Sequence, residues 1–197
     1  MIVKCECECN CIKDFSEHIQ NTFRNFVAKY IIIKDGYRVL DVNCKDGTLL
    51  NMLAAKKNIK GYGVDMGAVN VLTAREQYKS LNFKLADPCE LEYKDDFFDV
   101  VTLCLGANEL EDMDAFIQEA YRVLKPGGFI YIAEPHTNSF INYAIEKAEK
   151  LTKKDIYKLY TAETLVKKLS TNGLKCTGIL ERGVVQIIAA RKAKSCS

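Results

Sequence analysis

Two acidic residues stand near the ends of two apolar runs that predict β-strands. Asp41 lies in the run Tyr37–Val42, and Asp65 follows 24 residues later in the run Gly61–Met66. In open α/β sheets, ligands bind beyond the carboxyl ends of the strands, and a carboxylate there can accept hydrogen bonds from both hydroxyls of a ribose. We therefore predict that Asp65 binds a cofactor ribose, in a spacing that fits a dinucleotide as well as an adenosyl group.

The turn after the first of these strands, Asn43-Cys44-Lys45-Asp46-Gly47, contains a single glycine. The G-x-G-x-x-G pattern of a dinucleotide site is absent, which weighs against a nicotinamide-dependent oxidoreductase. Asn43 tolerates a positive φ better than most residues and can therefore keep the turn. At Lys45 two alternatives stay open, because a lysine either obstructs the close backbone approach that glycine allows or pairs its ammonium with a ligand carboxylate.

Three further segments follow predicted strands and so belong to the same edge of the sheet. They are Asp87-Pro88-Cys89, Cys104–Glu109 and Glu134-Pro135-His136. The side chains in these segments that are candidates for catalysis are Asn108, Glu109, Glu134 and His136. A loop histidine without a catalytic role is the simpler interpretation of His136. The nearby cysteines are more simply core residues than a metal-binding thiol cluster.

Hydrophobic periodicity predicts alternating strands and helices. The predicted strands are Tyr37–Val42, Gly61–Met66, Asn82–Ala86, Phe98–Leu105, Phe129–Ala133, Leu174–Leu180 and Val184–Ala190. The predicted helices are Phe15–Ile33, Gly47–Lys57, Val69–Lys79, Met113–Leu124, which Pro126-Gly127-Gly128 ends, and the stretch Asn138–Leu169. This order indicates an α/β fold: a Rossmann-like, doubly wound, mostly parallel seven-stranded sheet with an antiparallel C-terminal hairpin.

The composition fits a globular protein and weighs against several classes of partner. The chain has 197 residues, 48% of them hydrophobic and 27% charged, with a formal net charge of +2. That charge gives no electrostatic reason to expect a nucleic acid, and no apolar run approaches the ~20 residues of a membrane helix. Nine cysteines without the apolar core of a signal peptide favour reduced thiols in the cytoplasm over a disulfide framework.

The chain divides into a short N-terminal segment and one domain. Residues 1–14 are rich in cysteines, which alternate with polar residues over positions 5–11. This C-x-C spacing differs from the C-x2-C pairs of structural zinc sites, so we predict a poorly ordered terminus without a metal. Residues 15–197 are predicted to form a single domain, in which residues 15–33 and 138–159 make a helical cap over the pocket.

Five sequence motifs follow one another between about Tyr37 and Ala190. They are VLDVNCKDGTLL, GYGVDM, LADPCELEYKDDFFDVVTLCL, AYRVLKPGGFIYIAEP and YTAETLVKKLSTNGLK. In this order they resemble the motifs of the class I S-adenosylmethionine-dependent methyltransferases, in the small single-domain group. The resemblance implies S-adenosylmethionine-dependent methyl transfer to a small-molecule acceptor. The alternative is a catalytically silent binding or regulatory module on the same fold.

The resemblance also implies a role for each position that matches the family. The methionine end would be held by Asp41, Asn43, Cys44, Lys45 and Gly47, the ribose by Asp65, the adenine by Met66, Asp87 and Pro88, and the sulfonium side by Cys104 and Leu105. Pro88 lacks the N–H that the family commonly offers to adenine. Asn43 and Lys45 replace two motif glycines. We therefore expect weaker cofactor binding than the family usually shows.

Overall fold

Seven strands form one sheet within the part of the chain that the structure describes. The structure is a computed structural model, and it describes residues 18, 20–135 and 160–194. The strands are β1 (Arg38–Val42), β2 (Lys60–Asp65), β3 (Asn82–Leu85), β4 (Phe98–Cys104), β5 (Leu124–Pro135), β6 (Leu174–Arg182) and β7 (Val185–Lys192). The interior strands β1 and β4 are almost wholly buried, as expected for a parallel sheet covered on both faces.

The strand order is β3-β2-β1-β4-β5-β7-β6. Strands β1 to β5 pair in parallel, whereas β7 is antiparallel to both β5 and β6. The order reverses between β1 and β4, so the loops after these two strands diverge and leave a crevice at the carboxyl edge. The predicted fold class, including its C-terminal hairpin, is confirmed.

Five helices flank this sheet among the described residues. They are α1 (residues 20–30), α2 (Thr48–Lys56), α3 (Ala68–Gln77), α4 (Met113–Val123) and α5 (Ala162–Thr171). Side chains cap two of them, because Asp112 accepts from the N–H groups of Asp114 and Ala115 at α4, and Thr161 accepts from Thr164 N–H at α5. No helix in these ranges has the length and apolar composition that a membrane span requires.

The alternation of side chains along each strand divides the core into two layers. Phe116 of α4 and Leu165 of α5 pack with Leu40 and Leu103 on one face of the sheet. The other face carries Val39 and Val100, and it is covered by side chains of α1, α2 and α3, including Val27, Leu50 and Val71. Asp41 and Thr102 alternate with Leu40 and Leu103 and so point toward the face that α1 and α2 cover.

Two predicted boundaries are wrong by more than two residues. Strand β5 begins at Leu124 instead of Phe129, because Leu124 is fully buried and pairs with Phe98. The next pairs join Val100 to Phe129, so Pro126-Gly127-Gly128 lies in a bulge within β5, and α4 ends before it at Val123. The first helix ends at residue 30 instead of Ile33, since residues 31–34 alternate between buried and exposed, as an extended segment does.

Other predictions fall wholly or partly outside the described residues. The cysteine-rich segment 1–14 and the cap segment 138–159 lie outside them. Of the predicted helical stretch Asn138–Leu169, the structure describes residues 160–169, where α5 begins at Ala162. The division into an N-terminal segment and a capped domain stays a prediction.

We predict that Gly63→Ala destabilises the fold, because the packing at β2 leaves no room for a methyl group. A Cβ at Gly63 would lie 2.5 Å from Phe83 Cδ1 and 2.8 Å from Cys44 Sγ. The expected loss in the free energy of unfolding is about 1–3 kcal/mol, measured by urea denaturation. Gly178→Ala is the control, since nothing lies within 4 Å of its Cβ position. Equal losses in both variants would contradict the packing argument.

Candidate cofactor site

The turn between β1 and α2 adopts a left-handed backbone at alternate residues. Its φ angles are 55° at Asn43, 52° at Lys45 and 80° at Gly47. Cys44 N–H donates to Val64 O at 3.0 Å, and Lys45 N–H donates to Asp65 Oδ2 at 2.8 Å. Asn43 therefore has the positive φ that the sequence analysis expected it to tolerate. Lys45 has the same left-handed conformation, which the hydrogen bond from its N–H to Asp65 stabilises.

Asp65 ends β2 and is 2% exposed. Besides Lys45 N–H, its carboxylate accepts from Gly67 N–H at 2.8 Å and from Asn70 Nδ2 at 2.9 Å, both at Oδ1. A carboxylate has about four acceptor positions, so one is left, on Oδ2. Asp65 thus both anchors two loops and keeps an acceptor position for a ligand hydroxyl.

A cavity of about 160 Å³ lies beside Asp65, and we call it the Asp65 cavity. Five residues predicted to bind the cofactor line it, namely Asn43, Lys45, Asp65, Met66 and Pro88. Its other lining residues are Gly67, Asn70, Glu109 and Leu110. Sequence reasoning missed Asn70 as a site residue, although its place five residues after Asp65, at the start of the next helix, was a usable signal.

Glu109 faces Lys45 across this cavity. It belongs to a single 3-10 turn, Ala107–Glu109, that follows β4. Its Oε2 forms an ion pair with Lys45 Nζ and accepts from Asn43 Nδ2 at 3.1 Å. Of the predicted catalytic candidates, Glu109 lines the cavity, Asn108 stands beside it on the same turn, and His136 lies outside the described residues. Their catalytic roles stay predictions.

Asp41 and Glu134 are buried carboxyls next to the site. Burial raises the pKa of Asp41 to about 7, against the lowering effect of the Thr102 hydroxyl, which donates to Asp41 Oδ1 at 2.6 Å, and of the Arg24 guanidinium. Burial likewise raises the pKa of Glu134 to about 7, although Oε1 of Glu134 accepts from Gly106 N–H and Ala107 N–H, each at 2.9 Å. Each carboxyl therefore gives up its proton near neutral pH.

Arg24 is a buried cation on α1 that the sequence analysis did not select. It is 6% exposed, and its Nη1 lies 4.0 Å from Asp46 Oδ1 in the turn after β1. Arg24 shares the buried face of α1 with Val27 and Ala28. A charged residue at that helical spacing is the sequence signal for a buried ion, because an arginine on an apolar face requires a partner.

The remaining predicted cofactor residues lie away from the Asp65 cavity. Cys44 and Cys104 are buried in the layer beneath α1 and α2, and burial raises the pKa of both thiols. Leu105 packs against the same layer with a φ of 57°. Asp87 is exposed, and its Oδ1 accepts from Cys89 N–H at 2.7 Å.

The three cysteines near the carboxyl edge of the sheet lie in two different layers of the core. Cys89 packs against the opposite layer from Cys44 and Cys104. Within the described ranges, no group of three or more His, Cys, Asp or Glu side chains is placed to hold a metal ion. Burial accounts for Cys44 and Cys104, which are core residues here.

Gly47 is held by packing as well as by its backbone angle. A Cβ at this position would lie 2.6 Å from Phe83 Cζ and 3.1 Å from Tyr78 Cδ2. Both rings belong to the layer that α2 and α3 make with the sheet. Gly47 therefore lets the start of α2 approach β3.

Comparison with known proteins identifies the family of this chain. The family model described as "Methyltransferase domain" matches residues 33–181, which is more than half of the chain. The chain belongs to this methyltransferase family. The matched residues include the turn after β1, Asp65 and the turn after β4, so the cavity lies within the matched domain. S-adenosylmethionine is the cofactor that this class of methyltransferase uses.

Curated relatives agree with this assignment. The demethylmenaquinone methyltransferase of Lactobacillus johnsonii is 31% identical over 175 residues, which are 79% of this chain and 71% of that protein. A ubiquinone/menaquinone biosynthesis C-methyltransferase of Geotalea daltonii is 30% identical over 132 residues, or 62% of this chain and 56% of that protein. This chain therefore spans between about half and three quarters of the length of these relatives.

Solved structures confirm the fold. A SAM-dependent methyltransferase from Methanosarcina mazei superposes with a TM-score of 0.72 at 20% identity, over 86% of this chain and 98% of that one. The prediction of a class I methyltransferase fold from five ordered motifs is confirmed. The family match and the 31%-identical relative confirm the prediction of a methyltransferase.

The two raised carboxyl pKa values predict how stability depends on pH. The ordinary pKa values of Asp41 and Glu134 are 3.8 and 4.5, whereas the folded protein keeps both protons up to about pH 7. The folded state therefore binds more protons in this window, and the free energy of unfolding falls as pH rises from about 4 to about 7. Where the folded state keeps the proton and the unfolded state has lost it, each group lowers the free energy of unfolding by about 1.4 kcal/mol per pH unit.

Asp41→Asn tests this dependence, because the amide oxygen still accepts from Thr102 but carries no proton to lose. We expect a shallower fall in the free energy of unfolding, measured by urea denaturation between pH 4 and pH 8. Glu134→Gln is expected to act in the same direction, and the double variant to flatten the curve further. A slope that is unchanged in both single variants would contradict the assignment.

Proposed function

We propose that this domain binds S-adenosylmethionine at the Asp65 cavity and transfers its methyl group to a small-molecule acceptor at the carboxyl edge of the sheet. The observation that carries the proposal is the position of Asp65. It is a buried carboxylate at the end of β2, it lines a cavity, and it keeps one acceptor position for a hydroxyl. A ribose supplies such a hydroxyl.

The residues around Asp65 fit an adenosyl group. Met66 is 59% exposed at the cavity, and a thioether makes favourable contacts with an aromatic ring. Pro88 adds an apolar surface without an N–H. The cavity of about 160 Å³ is smaller than the ~300 Å³ at which small-molecule sites usually begin, so binding has to widen it. To widen the cavity, the ligand would have to separate Lys45 from Glu109, because their ion pair joins two sides of it.

The part of this chain in the reaction is mainly positioning. Bound S-adenosylmethionine supplies an electrophilic methyl group on a positively charged sulfur. Asp65 fixes the turn after β1 through Lys45 N–H. Glu134 fixes the turn after β4 through Gly106 N–H and Ala107 N–H. The two turns that face each other across the cavity are therefore each tied to a buried carboxylate, which limits their movement when a ligand enters.

The relatives indicate which acceptors to test first. The curated relatives are named for methylation of demethylmenaquinone and for ubiquinone and menaquinone biosynthesis. A quinone-type ring is therefore the first class of acceptor that we propose for this chain.

We predict that Asp65→Ala weakens binding of S-adenosylmethionine and S-adenosylhomocysteine by at least about tenfold, measured by isothermal titration calorimetry. The variant loses the ribose acceptor and leaves Lys45 N–H and Gly67 N–H without their partner. We expect a lower melting temperature as well, since three part-buried donors, the two N–H groups and Asn70 Nδ2, lose their acceptor.

Asp99→Ala is the control for that loss of stability. Asp99 accepts from Arg38 N–H at 2.8 Å and pairs with Lys125 Nζ at 2.6 Å, at the opposite end of the sheet. It is expected to lower the melting temperature without changing the affinity for the cofactor. No binding by the wild-type protein at millimolar ligand would contradict the proposed function. Binding without transfer of a labelled methyl group to quinone-type or other small acceptors would favour the silent module.

A further inference from the structure

An ion pair lines the Asp65 cavity, with its two partners on different loops. Lys45 comes from the turn after β1, and its backbone is fixed by the hydrogen bond from its N–H to Asp65. Glu109 comes from the turn after β4, where its N–H donates to Gly106 O at 3.1 Å. Both side chains line the cavity, and their exposed fractions are 29% for Lys45 and 46% for Glu109. Neither charge is therefore locked in the core.

The pair presents one positive and one negative group side by side at a cavity wall. The α-amino acid end of an adenosyl cofactor carries one carboxylate and one ammonium, so it is complementary in charge to the pair. A backbone loop of glycines provides no such charges, and Asn43 and Lys45 stand where that loop would have two of its glycines. The two charged side chains are therefore able to recognise a ligand feature that the altered turn no longer approaches closely.

We propose that Lys45 and Glu109 determine specificity for the zwitterionic amino-acid end of the ligand, Lys45 taking its carboxylate and Glu109 its ammonium. This inference rests on the proposed function. In the free protein the two side chains neutralise each other. When the ligand binds, each exchanges its partner for the opposite charge of the ligand, and the cavity widens as the two side chains separate.

Asn43 supports this exchange. Its side-chain amide donates to Glu109 Oε2, and Asn43 is only 9% exposed. A Cβ on Gly106 would lie 2.4 Å from Asn43 Nδ2, so the turn after β4 packs directly against this amide. Glu109 therefore keeps one hydrogen-bond donor when Lys45 leaves it. Its carboxylate is held at the cavity wall in both states.

The cost of opening the pair is small compared with the gain from the ligand. A partly exposed ion pair shifts an equilibrium by at most about fivefold. The ligand replaces this one contact with two contacts of the same kind, one at Lys45 and one at Glu109. The exchange therefore favours a ligand with both charges and disfavours one that has neither, because a neutral ligand would have to separate the pair without replacing either partner.

Calorimetry with two probes tests the proposal. S-adenosylhomocysteine has the amino-acid end, whereas 5′-methylthioadenosine has the same adenosyl part without it. We expect the wild-type protein to prefer S-adenosylhomocysteine by at least about tenfold. Lys45→Met and Glu109→Gln each remove a charge with little change in side-chain volume, and each is expected to reduce this preference severalfold. The affinity for 5′-methylthioadenosine should stay equal or rise in both variants, since the pair no longer resists opening.

Two exposed residues provide matched controls. Lys94→Met and Glu111→Gln make the same changes of charge outside the cavity and are expected to leave the preference as in the wild type. Equal binding of both probes by the wild-type protein would overturn the inference. A wild-type preference that survives in Lys45→Met and Glu109→Gln would also overturn it, while leaving the proposed function in place. If neither probe binds the wild type, the proposed function fails and the inference fails with it.

Discussion

The carboxylate of Asp65 is the constraint on which the carboxyl edge of the sheet depends. It is nearly inaccessible to water, so its charge has to be balanced by donors from the protein. Lys45 N–H comes from the turn after β1, and Gly67 N–H and Asn70 Nδ2 come from the start of α3. One side chain therefore determines how two neighbouring loops sit, and the cavity between them has its shape because of it.

Two other buried carboxyls extend this arrangement across the middle of the sheet. Asp41 joins β1 to β4 through the Thr102 hydroxyl, and Glu134 joins β5 to the turn after β4 through two N–H groups. Together with Asp65, they connect the ends of four adjacent strands, β2, β1, β4 and β5. These ties hold the floor of the cleft, whereas Met66, which lines the cavity, is 59% exposed.

Local signals predicted most of the fold and part of the site. Periodicity located all seven strands, and the position of Asp65 at a strand end predicted its place at the cavity. The partner of Lys45 could not be predicted from local signals, because Glu109 lies 64 positions away along the chain. The two residues come together only because β1 and β4 are neighbours in the sheet. The burial of Cys104 was readable, since it alternates with Leu103 and shares a face with Val100. The early start of β5 was not, because Pro126-Gly127-Gly128 is a strong turn signal that the sheet accommodates as a bulge.

Gly47 shows that a residue of a binding motif can persist for another reason. Two aromatic rings of the core occupy the space that a side chain would need, and the φ of 80° excludes most other residues. Descendants of this chain that lost their ligand would still need that glycine to fold. In an alignment, its presence would therefore record the architecture of the sheet. Residues 43 and 45 line the cavity, so their identity would bear on ligand binding instead. A classification by the last glycine alone would group proteins that bind a ligand with proteins that do not.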